Sequence, residues 1–171
     1  MNLKFHRIFF SVNDPNHSGI IDLLISFGCQ IDSKDNMGMT PLMAATTVGA
    51  VDAVEVLLSA GASVDLLDGD SRTVLSIAAS QGHADLVEKF LELGLDDSHI
   101  DNCGWTPLHL AAAENHCDTA QIILEYGANP DQIDNEGRTP LIITGWGNIN
   151  NFEFCRFTEY SDFSANQNTL V

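Results

Sequence analysis

Four threonines, Thr40, Thr73, Thr106 and Thr139, stand 33 residues apart, and each opens a similar phrase. Thr40-Pro41-Leu42-Met43-Ala44-Ala45 is followed by Thr73-Val74-Leu75-Ser76-Ile77-Ala78, then Thr106-Pro107-Leu108-His109-Leu110-Ala111, then Thr139-Pro140-Leu141-Ile142. Gly28, Gly61, Gly94 and Gly127 keep the same period. Repetition at this length means one supersecondary unit copied along the chain, so the fold is an array and not a single mixed core.

Each unit predicts two helices. Threonine is a good N-cap, and proline fits the first helical position, where its missing N–H would have no partner. Leu108, Ala111 and Ala112 then fall on one face at helical spacing, and the alanines let a neighbouring helix approach closely. Asn115-His116, or Gly82-His83 one unit earlier, breaks the chain before a second apolar pattern of Leu86, Val87, Phe90 and Leu91, which Gly94 closes. About a dozen polar, turn-forming residues separate each glycine from the next threonine, as from Gly61 to Arg72, and form a projecting hairpin finger. One helix pair cannot bury its own apolar face, so the units must stack.

A 33-residue unit headed T-P-L-H-x-A resembles the ankyrin repeat, and the phrase at Thr106 matches that motif at every specified position. The resemblance implies a mostly α ankyrin-repeat solenoid of stacked helix-turn-helix units with projecting hairpin fingers. It covers residues 16–144, with three well-matched central units and partial first and last repeats. Residues 1–15 read as an irregular N-terminal segment: Arg7 stands where threonine belongs, and Pro15 falls near the end of what should be an inner helix. In the other direction, Ile20, Ile21, Leu24, Ile25 and Gly28 fit a second helix and its stop. Residues 145–171 form a non-repeat tail, expected to be disordered or loosely packed, with an unfamiliar terminal cap as the alternative. The pattern fails at Gly145-Trp146-Gly147-Asn148, and Glu153 and Arg156 take places that should be apolar. A truncated or alternatively spliced form of a longer repeat protein would account for both ragged ends.

Charge narrows the partner. Seven lysines and arginines against twenty-four acids give a net charge of −17, which opposes phosphate backbones and anionic lipid surfaces. Neither nucleic acid nor direct membrane insertion is expected, since no stretch approaches the roughly 18 apolar residues of a spanning helix. With no convincing secretory signal between Met1 and Phe10, a cytoplasmic location is the default, with a nuclear one compatible. The sequon Asn16-His17-Ser18 is then a chance match. Cys29, Cys103, Cys117 and Cys155 show neither metal-knuckle nor framework spacing and read as reduced thiols.

The most informative surface feature is a periodic row of acids, Asp35, Asp68, Asp101 and Asp134, joined by Asp32, Asp65 and Asp131 three residues earlier. Aspartate is a turn former that bonds nearby N–H groups. The row is also expected to steer a partner with a basic surface. Trp105 lies in the finger region through which the resemblance implies partner contact. It is a candidate hot spot, with packing against the adjacent finger as the alternative. Met37, Met39 and Arg72 hold corresponding or neighbouring finger places. Thr47, Val48, Ser80, Gln81, Ala113 and Glu114 are expected to line a concave groove, with Gln81 and Glu114 among the candidate contacts.

His109 and His116 occupy motif positions where the resemblance implies structural histidines. No phosphate loop, nucleophile context or paired acid and base stands out, so no enzyme, cofactor or metal is expected. Family members are often hydroxylated on an asparagine after the Gly-Ala of a repeat, but Asp32, Asp65 and Asp131 stand there instead. The expected function is a protein-binding module or scaffold segment acting as a monomer. The alternative is a recognition or targeting subunit of a ligase or phosphatase complex. The phrases at Arg72 to Ala78, Gly94 to Asp96, Gly104 to His109 and Ile133 to Arg138 also resemble the ankyrin array of a large endosomal-recycling scaffold.

Overall fold

The threonine-headed phrases become helices at the expected places. The structure, a computed structural model, describes residues 18–145. The readings made for Arg7, Pro15, the sequon asparagine, Glu153, Cys155, Arg156, residues 1–15 and the tail beyond Gly145 lie outside the described residues. Outer helix α1 (Ser18–Ser26) is followed by three helix pairs: α2 (Pro41–Thr47) with α3 (Val51–Ser59), α4 (Val74–Gln81) with α5 (Ala84–Glu92), and α6 (Pro107–Ala113) with α7 (Cys117–Glu125). A last short helix, α8 (Pro140–Thr144), begins the next unit. No strand occurs among the described residues.

Local chemistry sets the starts. The side chains of Thr40, Thr73, Thr106 and Thr139 accept the N–H of Met43, Ser76, His109 and Ile142 respectively. Each such cap is worth about 1 kcal/mol. Reciprocal bonds close a capping box at Thr40, where the Met43 sulfur accepts the threonine N–H, and at Thr106, where the His109 ring does so. Gly28, Gly61, Gly94 and Gly127 all have positive φ and end the outer helices as expected.

The stack is built from like on like. Inner helices α2, α4, α6 and α8 contact one another in order, α2, α4 and α6 each contact their own outer helix, and α1 packs on α3 as α5 packs on α7. A main core runs through the stack, with Ile21, Leu42, Leu57, Leu75, Leu86 and Phe90 essentially inaccessible to water, and a second, smaller cluster gathers Trp105, Leu110 and Ile143. Each such side chain contributes roughly 1.5–3 kcal/mol by burial. Ile20, expected to join the outer-helix core, is exposed, because one residue before Ile21 its side chain points about 100° away round the helix. At the far end Leu141, equivalent to the buried Leu42, Leu75 and Leu108, is 78% exposed. Among the described residues no outer helix stands beside α8 to cover it.

Two of the cysteines, Cys29 and Cys117, are free thiols. Cys103 is disulfide-bonded, which corrects the expectation of four reduced cysteines. Sequence spacing says nothing about which sulfur atoms the fold brings within bonding distance.

Candidate protein-binding surface

The periodic aspartates build the fingers. In each finger one carboxylate oxygen accepts two backbone N–H groups, from the residues two and four positions on. Asp35 holds Met37 and Met39, Asp68 holds Asp70 and Arg72, Asp101 holds Cys103 and Trp105, and Asp134 holds Glu136 and Arg138. All eight bonds measure 2.8–2.9 Å. Aspartate suits this place because it is short enough to fold back onto its own turn and charged enough to satisfy two donors.

Neighbouring fingers are then tied by the backbone. Gly69 donates to the carbonyl of Met37, Asn102 to Asp70 and Asn135 to Cys103, at 2.8, 3.1 and 3.3 Å. The side-chain amide of Asn135 adds a bond to the Asn102 carbonyl at 3.1 Å, and the Ser71 hydroxyl donates to the Asn102 side chain at 2.7 Å. Histidines link the units at the other end of the inner helices: the Nε2 atoms of His83 and His116 lie 3.1 Å from the carbonyl oxygens of Thr47 and Ser80. His109 is structural too. Its Nδ1 accepts the Thr106 N–H at 3.2 Å, which leaves the proton on Nε2 to donate to the Arg138 carbonyl, also at 3.2 Å. Burial pushes the His109 pKa below its ordinary value, although the Arg138 carbonyl and the Asp134 charge oppose the shift.

This architecture corrects several of the contacts expected from sequence. Trp105 is 4% exposed and packs with Leu110 and Ile143, so no partner reaches its ring. Its indole N–H donates to Asp134 Oδ2 in the next finger at 3.0 Å, and the Arg138 guanidinium lies 5.9 Å from the ring centroid. The packing alternative describes it: Ile143 and Asp134 of the following unit cover the ring and take its N–H. Asp68 and Asp134 are buried and therefore not part of an exposed acidic ladder. Arg72 and Arg138 neutralise them, at 2.7 Å in both cases. For Asp134, burial disfavours the ionised form, yet the backbone and side chain of Arg138, the Glu136 N–H and the indole outweigh it, holding the carboxyl below its usual range.

Asp101 has Trp105 where Asp68 and Asp134 have an arginine four residues on. Burial accordingly pushes its carboxyl above the usual range, against the N–H groups of Trp105 and Cys103 and the charge of Arg72. Met39 is half-buried against the core, and most of the Arg72 side chain is occupied with Asp68 and Asp70. Both are correspondingly poor contacts. Of the remaining candidates, Met37 is 64% exposed at the first finger tip, and Asp35, Gln81 and Glu114 are exposed.

The exposed positions that remain fall on one framework. Val48, Gln81 and Glu114 share a repeat position at the C-terminal ends of α2, α4 and α6, and all are exposed. Met37, Asp70 and Glu136 share another at the finger tips, and the side chains of Asp70 and Glu136 are 46% and 42% exposed. Asp70 and Glu136 were not singled out from sequence, although the same 33-residue register that located Met37 marks them. What varies from unit to unit is thus displayed on a backbone whose hydrogen bonds repeat.

Among the described residues no group of histidine, cysteine, aspartate and glutamate side chains is placed to hold a metal ion, and no helix is long and apolar enough to cross a membrane. No curated protein matches the chain. The family model described as ankyrin repeats (3 copies) matches residues 8–68, 53–134 and 75–157. With most of its length covered and the stacked helix pairs in place, the chain belongs to the ankyrin-repeat family, whose arrays generally mediate protein–protein interaction.

Proposed function

We propose that this chain is a protein-binding module or scaffold segment that holds its partner in the groove formed by the inner-helix ends and the finger tips. The observation that carries this reading is the alignment of exposed but dissimilar side chains, Val48, Gln81 and Glu114, on a backbone fixed by repeated histidine and aspartate bonds. A rigid row of varied side chains presents specificity with little ordering entropy to lose on binding. Glu114, Asp70 and Glu136, with a net charge of −17, favour a partner that brings a basic surface. Members of the family are typically non-enzymatic.

The proposal extends to a monomer acting in the cytoplasm. Free Cys29 and Cys117 suit a reducing compartment, whereas the disulfide of Cys103 suits an oxidising one, so thiol titration of protein isolated under alkylating conditions decides the point. The phrase-level likeness to an endosomal-recycling scaffold is part of the same proposal and is tested by co-fractionation with endosomal membranes.

The groove itself is tested by affinity capture with the intact chain beside a Val48→Arg, Gln81→Arg, Glu114→Arg variant, after circular dichroism shows that both are folded. A partner retained by the intact chain and lost by the variant supports the groove. The same partner held equally by both removes it.

A further inference from the structure

Each outer helix ends in a pair of residues four apart; Val56 and Ile122 pack partly against the core, whereas Leu23, Phe27, Leu93 and Tyr126 face solvent. Phe27 donates its N–H to the Leu23 carbonyl, Ala60 to Val56, Leu93 to Lys89 and Tyr126 to Ile122, at 3.0–3.1 Å. A helical i to i−4 bond puts both members of a pair on one face. The pairs recur in the repeat register, so stacking sets them side by side along the outer surface. Leu23, Phe27, Leu93 and Tyr126 are 56%, 74%, 56% and 46% exposed, whereas the core residues of the same helices, Ile21, Phe90 and Ile123, are fully buried. A solvated helix face would be polar here. Lys89 is the one polar side chain at these paired positions other than the Tyr126 phenol, and its ammonium turns aside to Glu55 at 2.7 Å.

The rim of this stripe is negative. Asp22, Glu55 and Glu88 stand one residue before the first member of the first three pairs, and Glu92 and Glu125 one residue before the second member of the last two, all of them exposed. The Tyr126 phenol has its pKa raised by desolvation and by the nearby charges of Glu92 and Glu88, which places it beside the acids of the preceding helix. Ala60 stands where the other units carry Phe27, Leu93 and Tyr126. There the stripe dips into an open cleft of about 570 Å³ between α1 and α3, lined by Asp22, Asp52, Glu55, Val56, Ser59 and Ala60.

Apolar surface rimmed by polar groups marks an interaction site, and the sign of the rim selects the occupant. A second copy would set the acids of the stripe against their own equivalents. The chain's residues 146–171 carry Glu153, Glu159 and Asp162 against Arg156 alone, and an anionic lipid surface is repelled by the same field.

We propose that the outer stripe docks a basic amphipathic helix of another protein, with its apolar side on Phe27, Leu93 and Tyr126, its cationic side chains on the acidic rim, and one of them in the cleft between α1 and α3. This site is on the opposite side of the helix pairs from the groove and stands independently of it.

The probe is an amidated peptide of about 18 residues, leucines at helical spacing with lysines between, beside a counterpart with glutamate for every lysine. Both are titrated into the full chain while backbone amide shifts are followed by NMR. Saturable shifts at Leu23, Phe27, Leu93 and Tyr126 are expected with the lysine peptide alone. Raising salt from about 50 to about 300 mM is expected to weaken binding by about tenfold. Phe27→Ser with Leu93→Ser is expected to weaken it by about tenfold, and Asp22→Asn with Glu55→Gln and Glu88→Gln to weaken it and flatten its salt dependence. Gln81→Arg with Glu114→Arg leaves it unchanged, which separates failure of this site from failure of the groove. Shifts centred on Val48, Gln81 and Glu114, equal binding of the glutamate peptide, or full binding by the Phe27 and Leu93 variant would each overturn the proposal. So would a dimer that Phe27→Ser disperses, or stripe-dependent binding to phosphatidylserine vesicles. Tighter peptide binding after Lys4→Glu with Arg7→Glu would give the stripe to the chain's own N-terminal residues instead.

Discussion

The indole N–H of Trp105 and the Oδ2 atom of Asp134 meet at 3.0 Å across the boundary between two fingers, and the same oxygen receives the Arg138 guanidinium at 2.7 Å. One carboxylate thus organises its own turn with Oδ1 and joins its unit to the preceding one with Oδ2. Trp105→Ala removes a buried ring and leaves Asp134 short of a donor, so a loss of roughly 3–5 kcal/mol is expected. Trp105→Phe keeps most of the volume and is expected to lose about 1–2 kcal/mol, chiefly from the missing donor. Urea unfolding checks both. An Ala variant as stable as the parent would show that Trp105 does not bind the fingers together.

The depressed pKa of Asp134 makes stability depend on acid. A carboxyl held lower in the folded state than in the unfolded chain contributes stability that is fully present above the unfolded value, about 3.9, and is lost as pH falls through the folded one. Asp134→Asn is therefore expected to be less stable than the parent at neutral pH, with the difference closing below about pH 4. Chemical denaturation from neutral pH to about pH 3 tests this, and a difference that stays constant across the range would contradict it.

His109 supplies a second pH limb in a different window. Its folded pKa is lowered, so the unfolded chain takes up a proton first as pH falls past about 6.5, and the stability present above that value declines. His109→Gln is expected to lower stability at neutral pH and to flatten the fall between about pH 7.5 and pH 5.5. An NMR titration of the folded chain provides the direct check: a His109 midpoint at or above about 6.5 would exclude the mechanism.

What was legible in the sequence is what depends on local chemistry. Thr106 caps its helix through His109 three residues away, and Gly94 stops its helix through its own φ, so the phrase alone carries both. The role of Asp134 was half legible: its turn bonds reach only two and four residues, whereas its burial requires Arg138 to fold back and Trp105 to arrive from 29 residues earlier. Arginine four residues after Asp68 and Asp134 was a readable sign that those carboxylates were already engaged. The stripe of Phe27, Leu93 and Tyr126 shares the 33-residue register, yet an apolar residue near a helix end reads as core until burial shows that Ile21, Phe90 and Ile123 fill that role.

Gly49, Gly82 and Asn115 share a repeat position and all have positive φ, at 68°, 73° and 60°. A Cβ on Gly49 would come within 2.6 Å of the His83 ring, and one on Gly82 within 2.5 Å of the His116 ring. The linking histidine of each following unit therefore demands glycine before it. The next unit carries Ile149 where His83 and His116 would recur, and Asn115 is tolerated. Gly82→Ala combines the ring contact with left-handed strain, and a loss of about 2–3 kcal/mol is expected, the strain alone being of order 1–2 kcal/mol. Gly82→Ala with His116→Ala is expected to remove the ring contact and retain the strain, so the effects of the two changes fall short of additive. Asn115→Gly is expected to change stability by no more than about 0.5 kcal/mol, because the linking position of the next unit carries Ile149 and not a histidine. Additive losses at Gly82 and His116 in a thermal-unfolding cycle would mean that the histidine does not rest on the glycine, and that φ alone sets the residue at this position.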